Sequence, residues 1–526
     1  MAVITISFDE LKKFVKITKK EAIEKLPLLG IPTEIDKEEK DKLILEITPN
    51  RPDLLSVEGI GRLLNSYVHN KNIKYKAEKI DKTYKMTVDK NVEKVRPYIG
   101  MAIVKGLNID NNVLISLMQL QEKLHTTIGR KRKKVAIGIH DLKNIKFPIK
   151  YSTYDVKDSP IFIPLEKDKE MTVQQILKQH EKGTSYAHLV KEKCVLIMDA
   201  KDNVLSFPPI INSEMTKMTE DTKDVLIDVT GTHEKTVNEV LNIVVCDLLD
   251  REGKLYEIKI GKNIYPNLTM KKMKNPHEKA EKILGIKLTK KQTKDYLEKM
   301  GFIIKGDFVF VPPYRTDVLE EIDLIEDIAI AMDYNSFKPE LPTFFSIGKK
   351  KEEHIANSVL TGLGFNEVFT WTLTNKEKIK KSKLGYTKYI EIENPLTKDF
   401  TIIRPSIIPN LLDVFAESKK EKMPQSIYEI GIVAEPELKT KIAGAMTNSK
   451  IGFTEIRSVV QALIKVLENK EEIYEIKPSD DKIFITGRSA GIWKNGKKIG
   501  IFGEIYPEVI LDFGLECPVV VFELET

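Results

Sequence analysis

The run FVFVPPYRTDVLEEIDLIEDIAIAMDY, Phe308 to Tyr334, decides how the rest of the chain is read. It opens as a short β-run, Phe308 to Val311, and Pro312 and Pro313 stop it because proline cannot donate to a ladder. Thr316 or Asp317 is placed to cap a following helix, since each offers a short acceptor to the free N–H groups of a first turn. The spacing predicts that this helix runs to about Met332, with Val318, Ile322, Ile325, Ala329 and Met332 on one apolar face. Asp323, Glu326 and Asp327 share another arc, and the carboxylate of Asp317 is free to turn toward it. Carboxylates crowded into one patch repel unless a cation sits among them, and a hard ion such as Mg²⁺ suits oxygen ligands. An acidic face that merely solvates an amphipathic helix explains the same spacing.

The run VPPYRTDVLEEIDLIEDIAIAMDYNSF resembles the B5 domain of the phenylalanyl-tRNA synthetase β subunit. The resemblance implies a Mg²⁺ ion held by Asp317, Asp323, Glu326 and Asp327, all four of them acidic here. A second stretch agrees with it. Leu43 to Ile47 reads as a strand, Pro49, Asn50 and Pro52 as a tight turn, and Ser56 to Leu64 as a helix. The string NRPDLLSVEGIGR within this unit resembles the first domain of the same subunit.

A chain of 526 residues is expected to hold several domains. The resemblance divides it into a B1-like domain (1–84), a B3/B4 editing-type domain (85–264), a B5 domain (265–344) and a class II synthetase catalytic-like domain (345–526). The implied class is a multidomain α+β protein whose last domain is an antiparallel sheet flanked by helices. A net charge of +6 over this length does not by itself point to a nucleic-acid partner. Cys194, Cys246 and Cys517 are far apart and lack C-x-x-C pairing, which suits a reducing cytosol. The start, MAVITISFDELKKF, has no apolar signal core and no run reaches membrane-spanning length, so a cytoplasmic protein is expected.

In the second domain, Tyr98 to Lys105 and Val135 to Ile139 read as strands, with a helix over Val113 to Lys123 between them. Arg130 to Lys134 are five consecutive cations next to Gly129, either a solvated loop or a phosphate-binding one. Cys194 to Met198, Val204 to Phe207 and Val225 to Val229 read as further strands, and the polar Asp228, Thr230 and Thr232 gather at the end of the last. This stretch resembles the B3/B4 domain of the archaeal and eukaryotic type. In that family the domain hydrolyses tyrosine wrongly attached to tRNA(Phe). The resemblance places Leu196, Ser206, Asp228 and Thr230 near the editing pocket. An apolar pocket rejects an added hydroxyl only weakly, by roughly a hundredfold, so a second site that hydrogen-bonds the hydroxyl is needed to remove tyrosine. No Ser-His-Asp arrangement is legible there.

In the last domain, Glu367 to Leu373 and Tyr389 to Glu393 read as strands, Ile407 to Ser418 as a helix, and Thr486 to Trp493 with Lys498 to Glu504 as a hairpin across Asn495-Gly496. Class II sites grip ATP phosphates with arginines, whose guanidinium binds phosphate bidentately. Here Arg404 is followed by Pro405 and Ser406, and no arginine follows Arg488. The domain therefore reads as one that keeps the fold without the activation chemistry, with no catalytic residue for aminoacylation. The resemblance implies an α₂β₂ assembly in which the α subunit binds ATP and phenylalanine and charges tRNA(Phe), while this chain supports it and edits. The alternative is a tRNA-binding scaffold that has lost editing.

Overall fold

The computed structural model describes residues 2–78, 84–342, 346, 348, 354–467 and 473–525. Two compact units result, Met1–Leu341 and Pro342–Thr526.

The first unit contains one small module twice. Strand Ala2–Ser7 pairs with Lys42–Ile47, which also pairs with Thr33–Ile35, so the third strand in sequence is the central one. Two helices, Phe8–Phe14 and Lys19–Leu28, separate the first strand from the second, and helix Val57–His69 follows the third. The same order returns later. Strands Lys271–Lys274, Phe308–Val311 and Ile303–Lys305 form a three-stranded sheet with Phe308–Val311 central. Helices His277–Leu284 and Lys290–Lys299 lie between, and Glu321–Met332 comes after. The loops before the final helices share a Pro-x-Arg-x-Asp pattern followed by two aliphatic residues, Pro49-Asn50-Arg51-Pro52-Asp53-Leu54-Leu55 and Pro313-Tyr314-Arg315-Thr316-Asp317-Val318-Leu319. In each, the arginine folds back onto the aspartate two residues on. Arg51 donates to Asp53 at 2.9 and 2.8 Å, and Arg315 donates to Asp317 at 2.9 and 2.7 Å. Such a bidentate clamp fixes a proline-rich turn that has few backbone bonds of its own. The two copies touch: the Arg62 guanidinium stacks 4.1 Å from the Tyr314 ring, and the Asn72 amide donates to the carbonyls of Glu298 and Phe302 at 2.9 and 2.8 Å.

Between the copies in sequence lies a ten-stranded sheet. Strand Val225–Gly231 lies second from one edge, paired antiparallel with Tyr98–Lys105 on one side and with the edge strand Val135–Asp141 on the other. All seven of its residues are buried, which fits an apolar run sheltered on both faces. Helix Glu234–Asp250 covers one face, and Asn111–Thr126 packs across Val135–Asp141.

The second unit is a seven-stranded sheet, antiparallel except where the two-residue strand Asn366–Glu367 joins Gln425–Ala434. Alternation along Val519–Glu525 sorts the two cores. Val520, Phe522 and Leu524 pack under helices Ile355–Gly362 and Phe453–Leu467, and Val519 and Val521 under Ile408–Glu417 and Pro507–Asp512. The hairpin Phe484–Lys494 to Lys497–Ile505 turns at Asn495 and Gly496, both with positive φ (49° and 81°), as a two-residue primed turn requires.

Several boundaries move from their sequence readings. The helix expected from Thr316 begins at Glu321, because Asp317 is taken by Arg315 and leaves no cap at 316–317. Trp371 lies outside any strand, 75% exposed, and Tyr389 to Glu393 contributes only an isolated bridge from Glu391 to Ile402. Helix Val57–His69 runs five residues past its expected end at Leu64 and stops at Asn70, which adopts the left-handed conformation.

Candidate functional site

Strand pairing sets the central polar group. Asp228 stands opposite Gly138 on the neighbouring strand. A Cβ at residue 138 would lie 2.2 Å from Asp228 Oδ1 and 2.7 Å from His140 Nε2, so glycine leaves the space through which the carboxylate crosses to the next residue on that face. There His140 Nε2 meets Asp228 Oδ1 at 2.7 Å, and His140 Nδ1 meets Thr216 Oγ1 at 2.8 Å. Asp228 is 1% exposed and His140 fully buried.

Asp228 also borders a cavity of 430 Å³. One wall is the helix face of Leu114, Met118, Gln121 and His125; the other is the Ser206 to Ser213 turn. Ser206 Oγ donates to Asn212 Oδ1 at 2.9 Å across that turn, and both residues line the space. Apolar walls with a few converging polar groups are what a small-molecule site requires. A larger concavity of 590 Å³ lies on the second copy of the small module, lined by Lys274, Lys279, Lys290, Lys291 and Lys294. It lacks buried polar groups, so the smaller cavity is the better candidate.

Two of the four expected pocket residues, Ser206 and Asp228, reach the cavity. Leu196 and Thr230 do not. Leu196 alternates onto the other face of its strand and packs in the cluster of Phe207 and Val173. Thr230 Oγ1 accepts from Arg96 Nε at 2.9 Å, and its carbonyl accepts from Arg96 Nη2 at 2.8 Å. Burial holds the Arg96 guanidinium down to about 10. Both Asp228 and Thr230 lie within strand Val225–Gly231 rather than in a turn after it.

Sequence reasoning passed over a second polar end of the cavity. His125 Nε2 accepts the N–H of Ile137 at 2.8 Å, which puts the ring proton on Nδ1. Burial, assisted by the charge of Arg132, lowers the pKa of this histidine, against the pull of Glu122. Glu122 is held ionised, well below the usual carboxylate range, by the His125 ring, whose Nδ1 stands 3.7 Å away, and by the charges of Arg132 and Lys182. Arg132, the middle of the cationic run, is buried. It donates to the Ile210 carbonyl at 2.8 Å, pairs with Glu122 and stacks 4.7 Å from the Tyr186 ring. No periodicity in the sequence separates this inward arginine from its outward neighbours.

The four acidic residues of the second Arg-x-Asp copy are not gathered. Asp317 and Asp327 share one guanidinium, with Arg315 Nη2 at 2.7 and 2.6 Å from their Oδ2 atoms. Asp323 Oδ2 accepts the N–H groups of Leu319 and Glu320, both at 2.7 Å, and so caps the helix. Glu326 faces outward and is exposed. Burial opposes the charge of Arg315, but Asp327 and Asp317 outweigh it and the guanidinium stays charged. Burial raises the Asp317 carboxyl, yet Arg315 outweighs it and holds the group down to about 2. Among the described residues no three His, Cys, Asp or Glu side chains stand close enough to hold a metal. As placed, the carboxylates do not fit a divalent ion: a cation already stands between two of them, and a third is committed to a cap.

Comparison with known proteins defines the class. Residues 343–526 match the family described as the phenylalanyl tRNA synthetase beta chain CLM domain, 273–334 the tRNA synthetase B5 domain, and 90–242 the B3/4 domain. These are modules of an aminoacyl-tRNA synthetase. Over its whole length the chain is 40% identical to the phenylalanine–tRNA ligase beta subunit of Archaeoglobus fulgidus, of which it covers 98%. It is 40% identical, with full coverage of both chains, to that of Methanocaldococcus jannaschii. An N-terminal fragment of the phenylalanyl-tRNA synthetase beta subunit from Pyrococcus horikoshii superposes with a TM-score of 0.59 at 34% identity, covering 63% of this chain and 99% of the fragment. The chain belongs to the phenylalanine–tRNA ligase beta subunit family.

Proposed function

We propose that this chain supports an α partner that charges tRNA(Phe) with phenylalanine at the expense of ATP, and that its own cavity hydrolyses tyrosine wrongly attached to that tRNA. The observation that carries the second part is Asp228, a buried carboxylate at the wall of a 430 Å³ cavity, braced from behind by His140. A carboxylate so placed accepts a hydrogen bond from a phenolic hydroxyl. Phenylalanine, which lacks the hydroxyl, would leave that acceptor unpaired, and this penalty provides the discrimination. Gly138 and His140 fix where the acceptor stands. His125 offers a donor, because its Nε2 is occupied by Ile137. Water at the ester would be ordered by groups of this kind rather than by a serine nucleophile, since Ser206 already donates to Asn212.

The absence of ATP chemistry from this chain is supported by Arg404. The residue is 1% exposed, and its donors go to the Ile432 carbonyl (3.0 Å), Thr370 Oγ1 (2.7 Å) and Glu429 Oε1 (2.6 Å). Gly431 admits this packing, since a Cβ there would meet Arg404 Nη2 at 2.3 Å. An arginine whose guanidinium is spent inside a class II-like sheet domain grips no phosphate. The cytoplasm and an α₂β₂ assembly complete the reading. No step in it passes through Mg²⁺.

The test is deacylation of tyrosyl-tRNA(Phe) by the purified complex of this chain with its α partner. Clearance above the blank rate supports the reading. A rate equal to the blank defeats it.

A further inference from the structure

The backbone turns left-handed at three successive non-glycine residues, Arg130, Lys131 and Arg132, with φ of 48°, 52° and 65°. L side chains avoid this region, and a turn with no other purpose would place glycine there. The conformation is held from several sides. Arg96 donates to the carbonyls of Arg132 (3.3 Å) and Lys133 (3.4 Å). The Arg132 N–H donates to the His125 carbonyl at 3.1 Å, and the Lys134 N–H to the Gly129 carbonyl at 2.8 Å. The buried Arg132 side chain is the anchor.

This bracing has a consequence for charge. With Arg132 turned inward, Arg130, Lys131 and Lys133 are presented outward and exposed, and among the described residues none of the three makes an ion pair. Like charges this close repel one another, so an unbraced loop would spread them apart. The turn stands beside the candidate cavity, whose lining includes Arg132 and Lys182, both paired with Glu122, and Lys217, paired with Glu214. Unpaired positive charge thus sits on the rigid turn beside the cavity. Ammonium and guanidinium groups grip phosphate oxygens, and a polyanion is the partner that three unpaired cations on a fixed turn favour.

We infer that the Arg130–Lys133 turn is a docking rim for the phosphate backbone of the RNA strand whose aminoacylated 3′ end enters the cavity. The rim rests on the hydrolytic reading of that cavity. It adds to that reading a surface that holds the nucleic acid by its backbone, without reading sequence.

Binding of uncharged tRNA(Phe) to the complex with the α partner, followed by anisotropy across a KCl series, tests the rim. Lys131→Gly removes one charge and relieves the backbone at once, so a weakened complex together with an unlowered melting temperature isolates charge from folding. Combined with Lys133→Ala it is expected to weaken binding about tenfold. The slope of log K against log salt should become shallower by about 0.7 for each cation removed. Hydrolysis of tyrosyl-adenosine, an ester with no phosphate, should keep its wild-type rate. Unaltered affinity and salt slope would overturn the rim. So would variants that lose assembly with the α chain while binding tRNA normally, because the turn would then be a protein contact. A wild-type complex that shows the loop-dependent slope but never clears tyrosyl-tRNA would defeat the hydrolytic reading and leave the rim standing.

Discussion

His140 Nε2 and Asp228 Oδ1 meet at 2.7 Å over a position, Gly138, that has no side chain to obstruct them. A methyl group at 138 would stand 2.2 Å from the carboxylate oxygen. Gly138→Ala should therefore displace Asp228 and cut tyrosyl-tRNA clearance by about 100-fold, the scale of a misplaced group. Phenylalanine-dependent pyrophosphate exchange by the α partner should be unaffected. Equal clearance by wild type and variant would show that the carboxylate does not depend on that approach.

Arg315 pairs with the buried Asp327 and the half-buried Asp317, so removing it takes the counter-charge from both. Arg315→Met is expected to destabilise the first unit by about 3–5 kcal/mol, read from denaturant unfolding. Because Arg315 stands between Asp317 and Asp327, adding millimolar Mg²⁺ should not shift the wild-type melting temperature. A Mg²⁺-dependent rise would mean that the ion displaces the guanidinium.

The pH dependence of stability should carry a signature of His125. Burial lowers its folded pKa below the value of about 6.5 in the unfolded chain. As pH falls through about 6.5 the unfolded chain takes up a proton that the folded ring refuses, so stability drops in that window. In His125→Gln the amide oxygen can still accept from Ile137, and the loss between pH 7 and pH 5 should shrink. Identical slopes for the two proteins would contradict this.

Asp317 works in the opposite sense. Its folded carboxyl is held down to about 2, so its share of stability is present above the unfolded value of about 3.9 and disappears as pH falls toward 2. Asp317→Asn should lower the denaturant midpoint at pH 7 and leave it little changed near pH 2. A deficit of the same size at both pH values would place the effect in packing rather than in charge.

Much of the fold was legible because local chemistry and tertiary structure agree. The Asn495-Gly496 turn and the strands from Tyr98 to Lys105 and from Val225 read directly from residue type and spacing. Two of the readings that moved share a cause. A side chain that local rules assign to its own helix or turn is instead taken by an arginine, Asp317 by Arg315 two residues before it and Thr230 by Arg96 far away in sequence. The candidate site was half legible. Ser206 and Asp228 reach the cavity, while His140 and Gly138 matter only through strand register, and Arg132 only through the left-handed turn that points it inward. The repeated Arg-x-Asp loop shows the same limit. Both loops can be read in the sequence, but not that the second guanidinium also takes Asp327 from the following helix.

The lone chain should form no phenylalanyl-adenylate, since Arg404 is bound by Thr370, Ile432 and Glu429. Pyrophosphate exchange above the blank by this chain without its partner would count against that part of the account.

The most direct measurement compares wild type with Asp228→Ala, each in complex with the α partner, for deacylation of tyrosyl-tRNA(Phe) and for phenylalanine activation. The account predicts that the variant loses tyrosine clearance and keeps activation at the wild-type rate. Clearance by Asp228→Ala at the wild-type rate would contradict it.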